Sequence, residues 1–539
     1  MRRPRAAVVV PVEGAGGAQY KLPFLVVGIG ASAGGLEAFE KFFTQTPADS
    51  GMAFVLVPHL DAAHKSSMVE LVQRFTAMKV VEIVGDTRPE PNRVYVIPPN
   101  PTLTMRRGRL RLTTPRDEPG TVDPFFRSLA EDQGDHAIAV VLSGSGSDGA
   151  VGIRAVKEHG GLTVAQAAES SRFGSMPHSA VATGLVDLVL AVEEMPKRLI
   201  EYAGHLVHHR DKSGEAFGDH RRGNLVRIYT LLRRRTGHDF SRYKDSTFIR
   251  RVQRRMQVVR ITSPAAYIEL LRNEPREVDL LFRDLLIGVT KFFRDPQAFT
   301  ALVSEVIPKL VEGKSADDQI RVWVPGCSTG EEAYSLAIVI REALAKCEVV
   351  PKVSIFATDI DGEALEVARA GRYPATIAAD LTPERLERFF LREGDHYRVV
   401  KDIREMCLFS QHNIISDAPF SRLDLISCRN LLIYLDASLQ NRIIPLFHFA
   451  LRNGGYLFLG PSENVTQHGR LFTRLDGKHR LFKAKLVPAQ VFDLPLGAGI
   501  PRGYGPLHRS APVASGEEAV SRRAARLMES YAPAYVVLD

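Results

Sequence analysis

Two stretches of this chain alternate short apolar runs with helical patterns, and that rhythm restricts each of them to a parallel, doubly wound sheet. In the first stretch, between about Phe24 and Val192, the runs are Phe24–Ile29, Ala53–Pro58, Arg93–Ile97, Ile138–Leu142 and Leu162–Ala165. In the second, which begins at Gln319, they are Ile320–Val324, Val353–Ala357, Leu423–Ser427 and Tyr456–Gly460. Strands separated by helix-length segments read as βαβ units, whose crossovers cover both faces of a sheet. Between the two stretches, residues 225 to about 310 carry helical periodicity and no strand-like run. The expected fold class is therefore α/β: two doubly wound parallel-sheet domains, the second preceded by a small all-helical subdomain. A chain of 539 residues needs such a division, because single cores stop growing beyond roughly 250–300 residues. With 45% apolar and 24% charged residues, each domain has the material for a core.

Composition shifts set the boundaries. Residues 1–21 read as a disordered tail, since Arg2, Arg3 and Arg5 precede an apolar run, Ala6–Val10, too thin for a signal-peptide core. The first α/β domain is expected over 22–205, a polar linker (DKSGEAFGDHRR at its heart) over 206–224, the helical subdomain over 225–315 and the second α/β domain over 316–487. The Pro- and Gly-rich run after Val487 reads as a further linker to residue 520. Residues 521–539, a helical pattern leading into Ala534–Leu538, resemble the opening of a PAS-type sensor domain. No run reaches the ~18 apolar residues of a membrane span, so no membrane insertion is expected. The four cysteines all fall in the second half, without metal-site or disulfide-scaffold spacing. A reducing, cytoplasmic setting and no metal are expected.

The first candidate site begins at GIGASAGG, residues 28–35, which satisfies two incompatible patterns. Gly28, Gly30 and Ala33 fit the G-x-G-x-x-G/A turn that cradles a pyrophosphate. Gly30, Ser32 and Gly34 fit G-x-S-x-G, which presents a serine on a tight strand-to-helix turn. Downstream residues decide between them. His59 ends the next apolar run and supplies a base, and Asp148, in the turn GSGSDGA after Ile138–Leu142, supplies the group that orients it. Parallel strands carry their C-terminal ends to one edge, so Ser32, His59 and Asp148 are expected in one crevice. Their order along the chain is not the Ser…Asp…His of α/β-hydrolases.

GIGASAGGLEA, VPH, GSGSDGA and QAAESSRFGSMPHSA resemble the chemotaxis receptor methylesterase family, from about Phe24 to Val192. The resemblance gives Ser32, His59 and Asp148 the nucleophile, base and orienting roles. It implies hydrolysis of glutamyl methyl esters on receptor helices, and often deamidation of glutamines there. Ser145 stands where some members have methionine. The family commonly carries a phosphorylated receiver domain ahead of this part; the short stretch before Phe24 has no room for one, so control by such a receiver is not expected.

The second candidate site begins at RVWVPGCSTGEEAYSLAIVI, residues 321–340, a strand, a glycine-bearing turn and a helix. It departs from G-x-G-x-x-G: Gly326 and Gly330 flank Cys327-Ser328-Thr329, and Glu331-Glu332 open the helix. Carboxylates at a helix N-terminus disfavour a pyrophosphate but suit a sulfonium cofactor that also carries an ammonium group. S-adenosylmethionine is therefore expected rather than NAD. Asp359, at the end of FATDID, occupies the position where such sheets hydrogen-bond ribose hydroxyls. Together GVTKFFRD, VPGCSTGEEAYSLA, FATDID, HNII, SCRNLLIYLD and GPSEN resemble the chemotaxis receptor glutamate methyltransferase family, over Leu225 to about Val487. The resemblance implies cofactor contacts by Thr290, Arg294, Glu331, Asp359, Asn413 and Asn430. Gly288 stands where simpler members have a cofactor-contacting asparagine, so that hydrogen bond is expected to be either missing or remade by Lys291.

Arg250, Arg251, Arg254 and Arg255 share a helical pattern with Ile249, Val252, Met256 and Val259. A solvated basic face is the plain reading of such a run; the resemblance implies docking of an acidic receptor helix. The net charge of +8 suits several anionic partners, but no aromatic residues interleave the basic ones, so nucleic acid is not expected. The expectation is a bifunctional receptor-modification enzyme acting on a chemoreceptor-like protein with methylatable glutamates on acidic helices. Its rival is a sensory scaffold in which one or both domains are catalytically idle.

Overall fold

The apolar runs become strands because the elements packed on both sides leave them no solvent. In the first domain seven strands form one sheet: β1 (Val26–Ala31), β2 (Ala53–Pro58), β3 (Lys79–Glu82), β4 (Arg93–Val96), β5 (Ala137–Val141), β6 (Leu162–Gln166) and β7 (Leu188–Leu190). Their spatial order is β7-β6-β5-β1-β2-β4-β3, with every neighbouring pair parallel. Val27, Ile29 and Ala31 of β1 join the core on the side of helix α1 (Gly35–Thr44), with Phe39, Phe42 and Phe43. Val26 joins the opposite core, formed with Phe125, Phe126 and Leu129 of helix α2 (Val122–Gln133). A strand buried on both faces reads as a continuous apolar run, which is why β1, β2, β5 and β6 were legible. The structure, a computed structural model, describes residues 21–59, 68–114, 120–210, 221–286, 288–394 and 396–487. The expected tail up to residue 20, the Pro/Gly-rich linker and the PAS-like segment lie outside the described residues.

The second sheet comprises β8 (Gln319–Pro325), β9 (Lys352–Asp359), β10 (Cys407–Gln411), β11 (Leu423–Cys428), β12 (Leu451–Leu459), β13 (Phe472–Asp476) and β14 (Leu481–Ala484). Its order is β10-β9-β8-β11-β12-β14-β13, parallel through β12 and antiparallel at the last two strands. Trp323 on β8 is fully buried and donates its indole N–H to Thr358 Oγ1 on β9 at 3.0 Å, tying these two neighbouring strands together. The strands missed in the sequence, among them β3, β7 and β10, sit at sheet edges or carry mixed polarity. Two small antiparallel sheets were also unforeseen: Asp86–Thr87 with Thr102–Arg106 and Arg109–Thr113, and Arg372–Pro374 with Phe390–Glu393 and His396–Val399.

Between the sheets, α4 (Arg221–Thr236), α5 (Asp245–Val258) and α6 (Pro275–Leu286) pack about Ile228, Leu232, Phe240, Phe248, Val252 and Leu281. The helix Met195–Arg210 runs into the stretch expected to be linker, and α4 starts inside it. The basic helix α5 is not the exposed docking face expected from its sequence. Arg251, Arg254 and Arg255 are only 2%, 4% and 4% exposed, so they are not available to a receptor. Arg255 forms a fork with Glu277 of α6, at 2.9 and 2.6 Å. Arg251 donates to the carbonyls of Lys157 and Glu158 in the first domain. Arg254 bonds Asp284 of α6 at 2.7 Å, the Gly161 carbonyl at 2.9 Å and the Asp187 carboxylate, and Lys157 bonds both aspartates. The run looked like a solvated face because its countercharges come from a different helix and a different domain. Of the four arginines only Arg250 is exposed.

Candidate active sites

The glycines of GIGASAGG are explained by packing. A Cβ on Gly28 would lie 2.9 Å from the Phe125 ring, and one on Gly30 would lie 2.4 Å from Val122 Cγ1, because α2 rests directly on β1. The glycine pattern that suggested a pyrophosphate loop thus arises from helix–strand contact, and the serine pattern remains. Ser32 follows β1, His59 follows β2 and Asp148 lies in the loop after β5, on three neighbouring strands. Backbone bonds bind those ends together: His59 N–H donates to the Ala31 carbonyl and Ser32 N–H to the Ser143 carbonyl, both at 3.0 Å.

Within this frame Ser32 Oγ lies 3.1 Å from His59 Nδ1, and His59 Nε2 lies 2.7 Å from Asp148 Oδ2. Asp148 also accepts the backbone N–H groups of Thr121, Val122 and Asp123 at 2.7, 3.0 and 2.9 Å. Burial alone would raise its pKa, yet the bonds from His59 and this N–H cradle hold the carboxyl well below the usual carboxylate range. An ionised Asp148 accepts the Nε2 proton, which leaves the Nδ1 lone pair facing the serine hydroxyl. Two neighbours escaped notice in the sequence. Asp123, nearly fully buried, has its pKa pushed up to about 8 by burial and by the Asp148 charge. Met176 lines the serine's surroundings: a Cβ on Gly144 would meet its Sδ at 2.6 Å and Ser32 Cβ at 2.9 Å.

The second site is a cavity at the C-terminal ends of β8, β9 and β11, lined among others by Thr290, Arg294, Asp359, Asn413 and Asn430. Gly326 and Gly330, with φ of 71° and 93°, turn the chain between β8 and α7 (Glu331–Leu344). Asp359 clasps this turn, accepting Ser328 N–H at 2.8 Å and Asp361 N–H at 3.0 Å. Asn430, with φ of 60°, is held from behind by Glu463, which accepts the N–H groups of Asn430, Leu432 and Gly460. GPSEN contributes through this buried carboxylate, a role that its sequence alone did not reveal.

One assignment shifts by a residue. Glu332 lines the cavity, accepting Ser427 Oγ–H at 2.6 Å and facing Arg429 at 3.4 Å. Glu331 does not line it; buried at 1% exposure, it accepts from Thr329 and faces Arg154 of the first domain at 3.8 Å. On a helix, successive residues point about 100° apart, and the pair of glutamates gave no clue to which faced inward. Lys291 is exposed and does not line the cavity, so it does not stand in for the asparagine absent at Gly288.

Burial raises the pKa of both Glu332 and Asp359, so a bound cation would be favoured beside each. Asn430 Oδ1 is buried without a partner, which costs free energy until a donor fills the cavity. Carboxylates, Arg294, and an orphaned acceptor in one cavity fit the ammonium, carboxylate and hydroxyl groups of S-adenosylmethionine. Glu332→Gln and Asp359→Asn should each weaken its binding about 10–100-fold. Calorimetric affinities equal to wild type in both variants would remove these residues from the site.

Fold and sites define two α/β domains, one with a Ser-His-Asp arrangement at its sheet edge and one with a carboxylate-lined cavity at the corresponding edge. Residues 27–199 match the CheB methylesterase family. Residues 224–286 match the CheR methyltransferase all-alpha domain, and 288–481 the CheR methyltransferase SAM binding domain. The chain belongs to these chemotaxis families, fused in that order. An uncharacterised 104.1 kDa protein of Rhodobacter capsulatus is 38% identical over 496 residues, covering 86% of this chain. This chain spans 51% of that relative's length. Chemotaxis protein methyltransferase 2 of Pseudomonas aeruginosa is 34% identical over 257 residues, 46% of this chain and 89% of that protein. The crystal structure of the Thermotoga maritima CheB methylesterase catalytic domain shares 27% identity, covering 33% of this chain and 99% of that one at a TM-score of 0.32.

Proposed function

We propose that this protein both methylates glutamate side chains of a chemoreceptor-like partner, on the cytoplasmic side, and hydrolyses the resulting esters. The observation that carries the reading is the pair of built sites: a serine hydroxyl in line with His59 and a cradled Asp148, and a carboxylate-lined cavity at a parallel-sheet edge. In the first, Ser32 Oγ attacks the ester carbonyl as His59 takes its proton. His59 then returns that proton to the departing methoxide, methanol leaves, and water releases the glutamate from the acyl-enzyme. No helix among the described residues is long and apolar enough to cross a membrane.

In the second site, bound S-adenosylmethionine supplies an electrophilic methyl group. Thr290, Arg294, Glu332, Asp359, Asn413 and Asn430 line the cavity and would hold it. The acceptor, a glutamate of pKa about 4.3, is already ionised at neutral pH and needs no general base. Orientation alone then supplies up to roughly 7–11 kcal/mol. With both substrates saturating, the transfer rate should be flat from about pH 6 to 8; a rate falling with an apparent pKa near 7 would contradict a base-free transfer. The reading itself is tested with labelled S-adenosylmethionine and receptor-rich membranes. Base-labile label on receptor protein supports it, and none contradicts it.

A further inference from the structure

The helix α3 (Ala150–Glu158) starts directly after the Asp148-Gly149 turn of the triad and ends against the cofactor cavity of the other domain. At ~1.5 Å per residue, its 9 residues make a helix about 13 Å long. Three of its side chains cross the domain boundary. Lys157 bonds Asp284, as described above. Arg154 donates to the Thr290 carbonyl and faces Glu331. Glu158 Oε1 accepts from Arg294 Nη2 at 2.7 Å, while Arg294 Nη1 donates to the Val289 carbonyl at 3.0 Å. Val289, Thr290 and Arg294 all line the cavity.

Arg294 is therefore held by one group from its own domain and one from the esterase. A guanidinium is planar, with donors in a fixed fork, so two anchors set its plane. We infer that Glu158 and Arg154 of the esterase domain are positioning residues of the transferase's cofactor site, which is complete only with the esterase docked against it. This rests on the transferase reading above. Without Glu158, Arg294 would have to be ordered by the incoming cofactor, and without Arg154 the segment Val289–Thr290 would lose its outer support.

The Glu158 pair is partly exposed, with side chains 25% and 32% accessible, so its effect is modest and screened by salt. In the full chain, E158Q with R154Q should raise the KM for S-adenosylmethionine by about three- to tenfold. The kcat at saturating cofactor should stay within about twofold, since the effect is on ordering before binding. The E158Q increase should shrink in high salt. Ester hydrolysis on the same preparation should match wild type, which checks that the variants are folded. An unchanged KM, or a loss confined to kcat, with normal hydrolysis, would overturn the inference. Wild-type protein that takes up no S-adenosylmethionine in calorimetry would instead overturn the transferase reading, and this inference with it.

Discussion

Replacing Ser32 by alanine should lower ester hydrolysis by about 10⁴–10⁶-fold, the range for loss of a triad member, while methyl transfer continues at the wild-type rate. A serine hydroxyl is a poor nucleophile until a base takes its proton. Here the base stands at 3.1 Å, and an aspartate anchored by three backbone N–H groups orients it. The substitution removes one exposed-edge hydroxyl and leaves the backbone bonds between strand ends intact, so the fold should be unaffected. Methanol release from a methylated receptor fragment checks it. Full hydrolysis by the variant would take the nucleophile's role away from Ser32.

The second large effect concerns stability. Arg254→Met should destabilise the chain by about 3–5 kcal/mol, because breaking a buried ion pair leaves charge without its partner. Arg254 is the cation shared by Asp187 of the esterase and Asp284 of the helical subdomain, and its loss leaves Lys157 as the one direct ion-pair partner of both among the described residues. Burial would raise the pKa of each aspartate, but the cations Arg254 and Lys157 hold both below the usual carboxylate range. A depressed folded pKa stabilises above the unfolded value, about 3.9, and that contribution disappears as pH falls through the folded value. The clamp should thus be complete at neutral pH and fail only in strong acid. Trp323 is the chain's single tryptophan and is buried in the second sheet, so its fluorescence in urea reports that domain's unfolding. A midpoint at neutral pH equal to wild type would show that the clamp contributes nothing to the stability of that domain.

Much of this was legible because central strands of parallel sheets are apolar throughout, and because strand ends carry their chemistry to one edge. Ser32, His59 and Asp148 meet for that reason, as do Asp359 and Asn430. What failed depended on partners distant in the chain. Arg254 finds its countercharges on Asp187 and Asp284, so a pattern of arginines at helical spacing could not announce burial. Glu331 and Glu332 are adjacent, and it is a partner almost a hundred residues on, Ser427, that distinguishes the second from the first. Edge strands such as Leu188–Leu190 are too short to leave a pattern.

Two activities on one chain would add and remove the same methyl group. The most direct measurement uses receptor membranes labelled by the Ser32→Ala variant with S-adenosylmethionine carrying a labelled methyl, washed, and then exposed to fresh protein. Wild-type protein should release the label as methanol, and fresh Ser32→Ala protein should leave it in place. Label that the variant fails to attach, or that wild type fails to release, would contradict this and favour a chain in which one domain is idle.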